Sequence, residues 1–124
     1  MRYDKLRFEL IKKGVVLRNN VNKMCFHSRN ESQIHFLIKS MISHIIFTKG
    51  DGLVTEAEFE NGRVVDVLQM KDSGNLIGYE IESEKNNKQD VDKVDIIEIN
   101  VKDIPVEIKN NCTKLYTWLK NLVV

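Results

Sequence analysis

The spacing of apolar residues predicts three helices, of which the longest covers residues 30–48. In this segment apolar side chains recur at intervals of three and four residues, the pattern of a helix with one buried face. These positions are Ile34, Leu37, Ile38, Met41, Ile42, Ile45 and Ile46. Asn30 is the predicted N-cap, so Glu31 falls in the first turn, where the helix dipole favours an acid. A shorter helix is predicted at residues 3–13, and a last one follows Pro105.

Beyond residue 52 the pattern changes to the two-residue alternation of β-strands. Three consecutive segments are separated by turn sequences, which predicts a three-stranded antiparallel meander. Asn61-Gly62, in the first connection, is the strongest short hairpin signal in the chain. A fourth strand follows, and two short strands near the N-terminus are predicted to pair with each other. The predicted strands are residues 15–17, 21–26, 53–59, 63–70, 76–82 and 94–101.

Length and composition predict a single domain over residues 1–124. The chain has 124 residues, of which 42% are hydrophobic, and this is enough to form a core. It contains no apolar run long enough to cross a membrane and no apolar segment typical of a secretory signal. Cys25 and Cys112 have no C-x-x-C spacing, which favours reduced, buried thiols and a cytoplasmic location.

The near-neutral net charge of +1 conceals a strong segregation of sign. Residues 1–50 carry ten basic and three acidic residues, whereas residues 51–104 carry six basic and fourteen acidic ones. A basic flank of this kind could hold a polyanion, but an acidic centre would repel it unless the carboxylates bind cations. Ordinary solvated charge is the alternative interpretation.

Three carboxylates lie in strands that otherwise look buried. Asp66 interrupts the apolar segment Val64–Leu68, and an ionised acid there is costly unless it is paired or bound to a metal. Glu80 and Glu82 flank Ile81 and therefore point to the same face of the next strand. Depending on the register, Asp66 faces either position 81 or one of the two glutamates.

A cluster of these three acids would be a site for a hard cation such as Mg²⁺ or Mn²⁺. The alternative is a salt bridge from Asp66 and Glu80 to a lysine or arginine. A three-residue connection after the first strand would place Glu56 opposite Asp66, whereas a two-residue turn would place Ala57 there. Glu56 and Glu58 are therefore candidates of lower rank, and both could instead lie on an exposed strand face.

The order of these features resembles the core of the PD-(D/E)xK nuclease superfamily, the restriction-endonuclease-like fold. The resemblance covers about residues 30–101, and Glu31-Ser32-Gln33-Ile34-His35-Phe36-Leu37-Ile38-Lys39 is similar to the opening helix of small archaeal and viral members. Asp66 matches the motif aspartate, Glu80 the glutamate of the last motif strand, and Glu31 the acid of the first helix. Glu82 takes the position of the family lysine, as in Glu-x-Glu variants. Lys39 or Lys85 could substitute for that lysine in space.

The resemblance implies an α/β protein that hydrolyses phosphodiester bonds of DNA with Mg²⁺ or Mn²⁺ and an activated water. Asp66 and Glu80 would bind the ion, Glu82 would be a further ligand or the general base, and Glu31 would hold water or a second ion. The basic segments would grip the nucleic-acid backbone. The alternative implication is a catalytically inactive nuclease-like module for nucleic-acid binding or assembly.

The remaining polar and aromatic residues add little to these hypotheses. No His-x-x-x-His pair occurs, which disfavours zinc. His35 lies one turn after Glu31 and could form a hydrogen bond with it, and a capping or core role is favoured over a catalytic one. Tyr116 and Trp118 are more typical of core anchors than of base-stacking platforms. An apolar stripe on the last helix could also form a homodimer interface: Leu115, Trp118, Leu119 and Leu122.

Overall fold

The computed structural model describes residues 3–16, 31–82 and 94–124 and has an α/β fold. The helices are α1 (Tyr3–Lys12), α2 (Gln33–Thr48), α3 (Val106–Lys109) and α4 (Cys112–Leu122), with a 3₁₀ turn at Val101–Asp103. The strands are β1 (Val15–Val16), β2 (Gly52–Phe59), β3 (Val64–Met70), β4 (Leu76–Glu82) and β5 (Val94–Asn100). None of the described helices is both long and apolar enough to cross a membrane.

The five described strands form one mixed sheet in the order β1-β2-β3-β4-β5. Adjacent strands from β1 to β4 are antiparallel to each other, and β5 runs parallel to β4. The predicted meander and fourth strand are therefore confirmed. Residues 21–26, predicted to pair with the first short strand, lie outside the described part of the chain, and β1 pairs with the end of β2 through Val15 and Phe59.

The sheet separates two apolar clusters. One cluster packs α2 and α4 against one face of the sheet, where Ile42 and Leu115 are fully buried beside Tyr79. The other packs Leu6 and Leu10 of α1 against the opposite face. Different helices therefore cover the two faces of the sheet, and the α2 face carries the larger apolar cluster.

Helix α2 begins two residues later than the sequence pattern predicts. Ser32 is the N-cap, and its hydroxyl accepts a hydrogen bond from the backbone N–H of His35 at 3.2 Å. Glu31 therefore precedes the helix instead of lying in its first turn, which corrects the prediction of an Asn30 cap. The prediction chose the first good capping residue, but Ser32 has the geometry that satisfies a free N–H of the first turn.

The β2–β3 connection sets the register around Asp66. Three residues separate Phe59 from Arg63, whose backbones are hydrogen-bonded, and the last of them is Gly62, whose φ of +87° requires the freedom of glycine. Thr55 pairs with Val67 and Ala57 with Val65, so Glu56 lies opposite Asp66, as one of the two alternatives predicts. Glu56 itself has a φ of +50°, a left-handed conformation that locally distorts β2.

The end of the chain differs from its prediction in two ways. The single helix predicted after Pro105 is divided into α3 and α4, because Asn111 caps a new helix by accepting a hydrogen bond from the backbone N–H of Lys114. Cys112 is a free thiol and is exposed, not buried, while Cys25 lies outside the described residues. The predicted dimer stripe packs into the core of its own chain: Leu115, Trp118, Leu119 and Leu122.

Candidate functional site

A buried lysine joins two acids from different elements at the start of α2. The Lys39 side chain is fully buried, and its Nζ lies 2.7 Å from Glu31 Oε2 and 2.9 Å from Glu56 Oε1. Burial lowers the pKa of Lys39, but the hydrogen bonds to Glu31 and Glu56 outweigh it, so the pKa is raised. The Lys39 ammonium is therefore shared by the two carboxylates and compensates part of their charge.

His35 lies one turn before Lys39 on the same face of α2. Its Nε2 is 3.5 Å from Asp66 Oδ1 and 3.4 Å from Glu31 Oε2, which brings the helix into contact with β3. The Asp66 carboxylate is the largest cause of a raised His35 pKa, while partial burial opposes it. The Asp66 carboxylate therefore favours the protonated form of the imidazole. The His35 and Glu31 side chains are close, but His35 Nε2 is buried without a hydrogen-bond partner among the described residues, so the predicted hydrogen bond to Glu31 is not formed through this atom.

Asp66 occupies the place where β3 and β4 cease to pair through their backbones. The ladder ends at Val67 and Tyr79, and Asp66 Oδ2 accepts a hydrogen bond from the backbone N–H of Ile81 at 2.8 Å. The carboxylate therefore replaces a backbone acceptor in the gap between the strands. Asp66 is held by a strand on one side and by the α2 histidine on the other.

Glu80 forms the salt bridge to an arginine that was the alternative to a metal site, although the sequence did not indicate which arginine. Its side chain is 1% exposed, and Oε1 accepts hydrogen bonds from Arg63 Nη2 at 3.1 Å and from Nε at 3.3 Å. Arg63 follows the Asn61-Gly62 turn directly, so it looked like an ordinary solvated residue at a strand end. The isolated arginine beside a run of buried strand residues was the only available signal.

The predicted convergence of Asp66, Glu80 and Glu82 is not what the structure shows. Glu80 and Glu82 alternate with Tyr79 and Ile81, which pack with α2, so both leave the opposite face of the sheet. Asp66 instead lies in the strand gap towards His35. Within residues 3–16, 31–82 and 94–124, no three His, Cys, Asp or Glu side chains form a group suited to a metal ion.

Two groups of charged residues therefore replace the predicted single cluster. The first, which we call the α2 network, consists of Glu31, His35, Lys39, Glu56 and Asp66. The second is the Arg63–Glu80 pair. Lys39 reaches the first group, as one of the two lysine alternatives suggests, and Lys85 lies outside the described residues. In the α2 network, Glu31 Oε1 is buried and has no hydrogen-bond partner among the described residues.

Replacement of Asp66 tests its role as a backbone acceptor. We expect Asp66→Ala to lower the free energy of unfolding by about 1–2 kcal/mol, because the Ile81 N–H loses its partner in a partly buried place. Asp66→Asn keeps an oxygen acceptor and should therefore lose clearly less stability than Asp66→Ala. Urea unfolding of both variants measures the difference, and equal losses would contradict this role.

The raised pKa of His35 predicts a pH dependence of stability. Because the folded-state pKa lies above the ordinary value of about 6.5, the stabilising contribution is complete below about pH 6.5. It is lost as pH rises through the raised pKa. The stability difference between the wild type and His35→Gln, measured by urea unfolding across this range, should therefore shrink with rising pH. A difference that stays constant would refute the ion pair.

No protein-family model, curated protein or solved structure matches this chain. Fold order and charged groups are therefore the only guides to function. The carboxylates of the two charged groups have partners within the chain.

Proposed function

We propose that the protein is a nuclease-like nucleic-acid-binding module whose acidic core is neutralised by its own cationic side chains. The chain forms a helix, then three antiparallel strands, and then a last strand parallel to the third. This order supports the nuclease-like interpretation. The buried acids support the inactive alternative, because Lys39 and Arg63 supply charges that a metal ion would otherwise supply.

The proposal of nucleic-acid binding is based on the exposed side of α1. Lys5, Phe8 and Lys12 follow one another at helical spacing and form a stripe, with Lys12 Nζ 4.7 Å from the centre of the Phe8 ring. Arg7, in the same helix, is also exposed. Basic side chains with an accessible ring fit a nucleic-acid strand, because the cations contact phosphates and the ring stacks on bases.

Asp66 and Glu80, two of the residues predicted to hold Mg²⁺ or Mn²⁺, do not fit the ion. Arg63 already donates two hydrogen bonds to Glu80 Oε1, and both Asp66 oxygens face protein partners. A divalent ion would also meet the nearby Lys39 ammonium and Arg63 guanidinium, which repel it. We therefore assign no catalytic step to these acids.

Binding to labelled DNA tests the proposal. Fluorescence anisotropy with a single-stranded and a duplex oligonucleotide, from about 50 to about 200 mM salt, should give an affinity that falls steeply with salt. The triple variant Lys5→Gln, Arg7→Gln and Lys12→Gln should reduce the slope by roughly 0.7 to 0.9 for each phosphate contact that is lost.

A matched control removes three cations from the other face of the fold. Lys102→Gln, Lys114→Gln and Lys120→Gln change the net charge equally, and all three residues are exposed near the C-terminal helices. These changes should leave the salt slope close to that of the wild type. Absence of binding at low salt, or an equal loss in both triple variants, would contradict the assignment of α1.

A metal-dependent nuclease is the second candidate. The position of Asp66 in a strand gap, together with the strand order and the buried Glu31 Oε1, favours it. Incubation of a panel of duplex, branched and single-stranded DNA with Mg²⁺ or Mn²⁺ decides between the candidates. The nuclease would replace our proposal if the wild type cleaved DNA and Asp66→Asn abolished this cleavage. The control Glu98→Gln, a change on the exposed part of β5, should retain it.

A further inference from the structure

We infer that α1 binds single-stranded nucleic acid in preference to a duplex, and that Phe8 stacks on an unpaired base. The helix is held on the sheet by Leu6 and Leu10, which are buried in the smaller apolar cluster. Phe8 is two residues from each leucine, which places it on the opposite side of the helix, and it is 60% exposed. Because packing of the core does not use this ring, its apolar surface is available to a ligand.

Two exposed lysines flank the ring along the helix axis. Lys5 precedes Phe8 by three residues and Lys12 follows it by four, so their Cα atoms lie about 5 Å and about 6 Å away along the axis. The Lys12 ammonium lies over one face of the ring, 4.7 Å from its centre, so we place the base on the opposite face. A strand that follows α1 would meet a cation, a ring and a second cation in turn, a combination typical of sites for single strands.

Glu9 adds a negative charge beside this stripe. Its Oε1 lies 4.0 Å from Lys12 Nζ, and the Lys12 side chain is 58% exposed. An exposed ion pair of this length contributes little, because water screens it and both side chains lose freedom in forming it. Lys12 can therefore exchange this contact for one with a phosphate.

Only an unpaired base can use the Phe8 ring. In a duplex each base is stacked between its neighbours, so a side chain on an exposed helix face cannot reach a base face unless the stack is opened. In a single strand the bases can turn outwards and stack on an aromatic side chain. Phosphates are present in both forms, so Lys5 and Lys12 attract both. Phe8 is therefore the residue that distinguishes the two forms.

A membrane surface is another ligand that a basic helix with exposed apolar residues can bind. The exposed large apolar residues described in α1 are Phe8 and Ile11, because its two buried leucines pack against the sheet. Membrane binding grows with the apolar area that enters the lipid, and two side chains supply little of it. A single base needs only one ring, so the single strand fits α1 better.

Fluorescence anisotropy at about 100 mM salt tests the inference with a labelled oligonucleotide of about 15 nucleotides and the duplex of the same sequence. The wild type should bind the single strand more tightly than the duplex. Phe8→Ala should weaken binding of the single strand at least about fivefold, the lower end of the range for one stacked base, and binding of the duplex less than about twofold. Phe8→Leu keeps an apolar side chain without a ring and should behave like Phe8→Ala, whereas Phe8→Trp should keep the preference.

Phe47→Ala is the matched control, because Phe47 is an exposed phenylalanine on another helix, α2. This change should leave the affinities for both forms at the wild-type values. Circular dichroism verifies the fold of each variant, and all should keep the wild-type spectrum because the substituted side chains are exposed.

Three results would overturn the inference: equal binding of the two forms by the wild type, an equal loss for both forms in Phe8→Ala, and a Phe8→Leu protein that binds the single strand as tightly as the wild type. A parallel titration with phosphatidylserine vesicles tests the other ligand. Vesicle binding that Phe8→Ala abolishes, without a preference for single strands, would assign α1 to a membrane surface instead.

The inference rests on the proposed function, because it takes α1 as the surface that contacts nucleic acid. Its failure can be told apart from failure of that proposal. Salt-dependent binding that does not distinguish the two forms would leave the proposed function standing and remove the inference alone. Absence of binding to either form at low salt would remove the proposed function itself.

Discussion

Replacing Lys39 with methionine should destabilise the protein by about 3–5 kcal/mol, the largest single effect expected in this fold. Methionine fills most of the same volume but removes the ammonium, so the Glu31 and Glu56 carboxylates lose their shared donor. The Glu31 side chain is only 3% exposed and cannot recover that interaction from water without local opening. Urea unfolding monitored by circular dichroism measures the loss.

Two further variants show whether the loss arises from the uncompensated acids. Lys49→Met removes an exposed lysine at the C-cap of the same helix and should change stability by less than about 0.5 kcal/mol. Lys39→Met combined with Glu31→Gln and Glu56→Gln should regain much of the lost stability. If the triple variant is no more stable than Lys39→Met alone, packing and not charge explains the effect.

Gly78→Val should cost about 3 kcal/mol, because β4 passes too close to its neighbours to accept a side chain. A Cβ at this position would lie 2.8 Å from Ile96 Cδ1 and 2.9 Å from Val65 Cγ1. Both contacts are shorter than van der Waals separation, and β5 and β3 hold their side chains from opposite sides. The strand would have to shift, which would also disturb the adjacent Arg63–Glu80 pair.

Thermal and urea unfolding of Gly78→Val test this expectation against Glu98→Val. Glu98 is exposed on β5, where a β-branched residue is well tolerated. The control should therefore remain within about 0.5 kcal/mol of the wild type. A Gly78→Val protein as stable as the Glu98→Val protein would show that the sheet has room at this position.

The elements that depend on local pattern could be predicted from the residues alone. The three- and four-residue spacing of apolar side chains gave α2, and two-residue alternation with Asn61-Gly62 gave the meander of β2, β3 and β4. These features are readable because each depends on neighbours within a few positions along the chain. The exact start of α2 could not be predicted in this way, because Asn30 and Ser32 are both good capping residues.

Which charged side chains meet depends on the three-dimensional fold. Lys39 reaches Glu56 across seventeen positions, and Arg63 reaches Glu80 across another seventeen, so no spacing rule connects either pair. Sequence reasoning recognised that buried acids need compensation but chose a metal ion to supply it. Because of the direction of the β4 side chains and the position of Arg63 in the hairpin, the buried acids pair with cations of the same chain. In a low-dielectric interior, a nearby opposite charge strongly favours the ionised form of an acid.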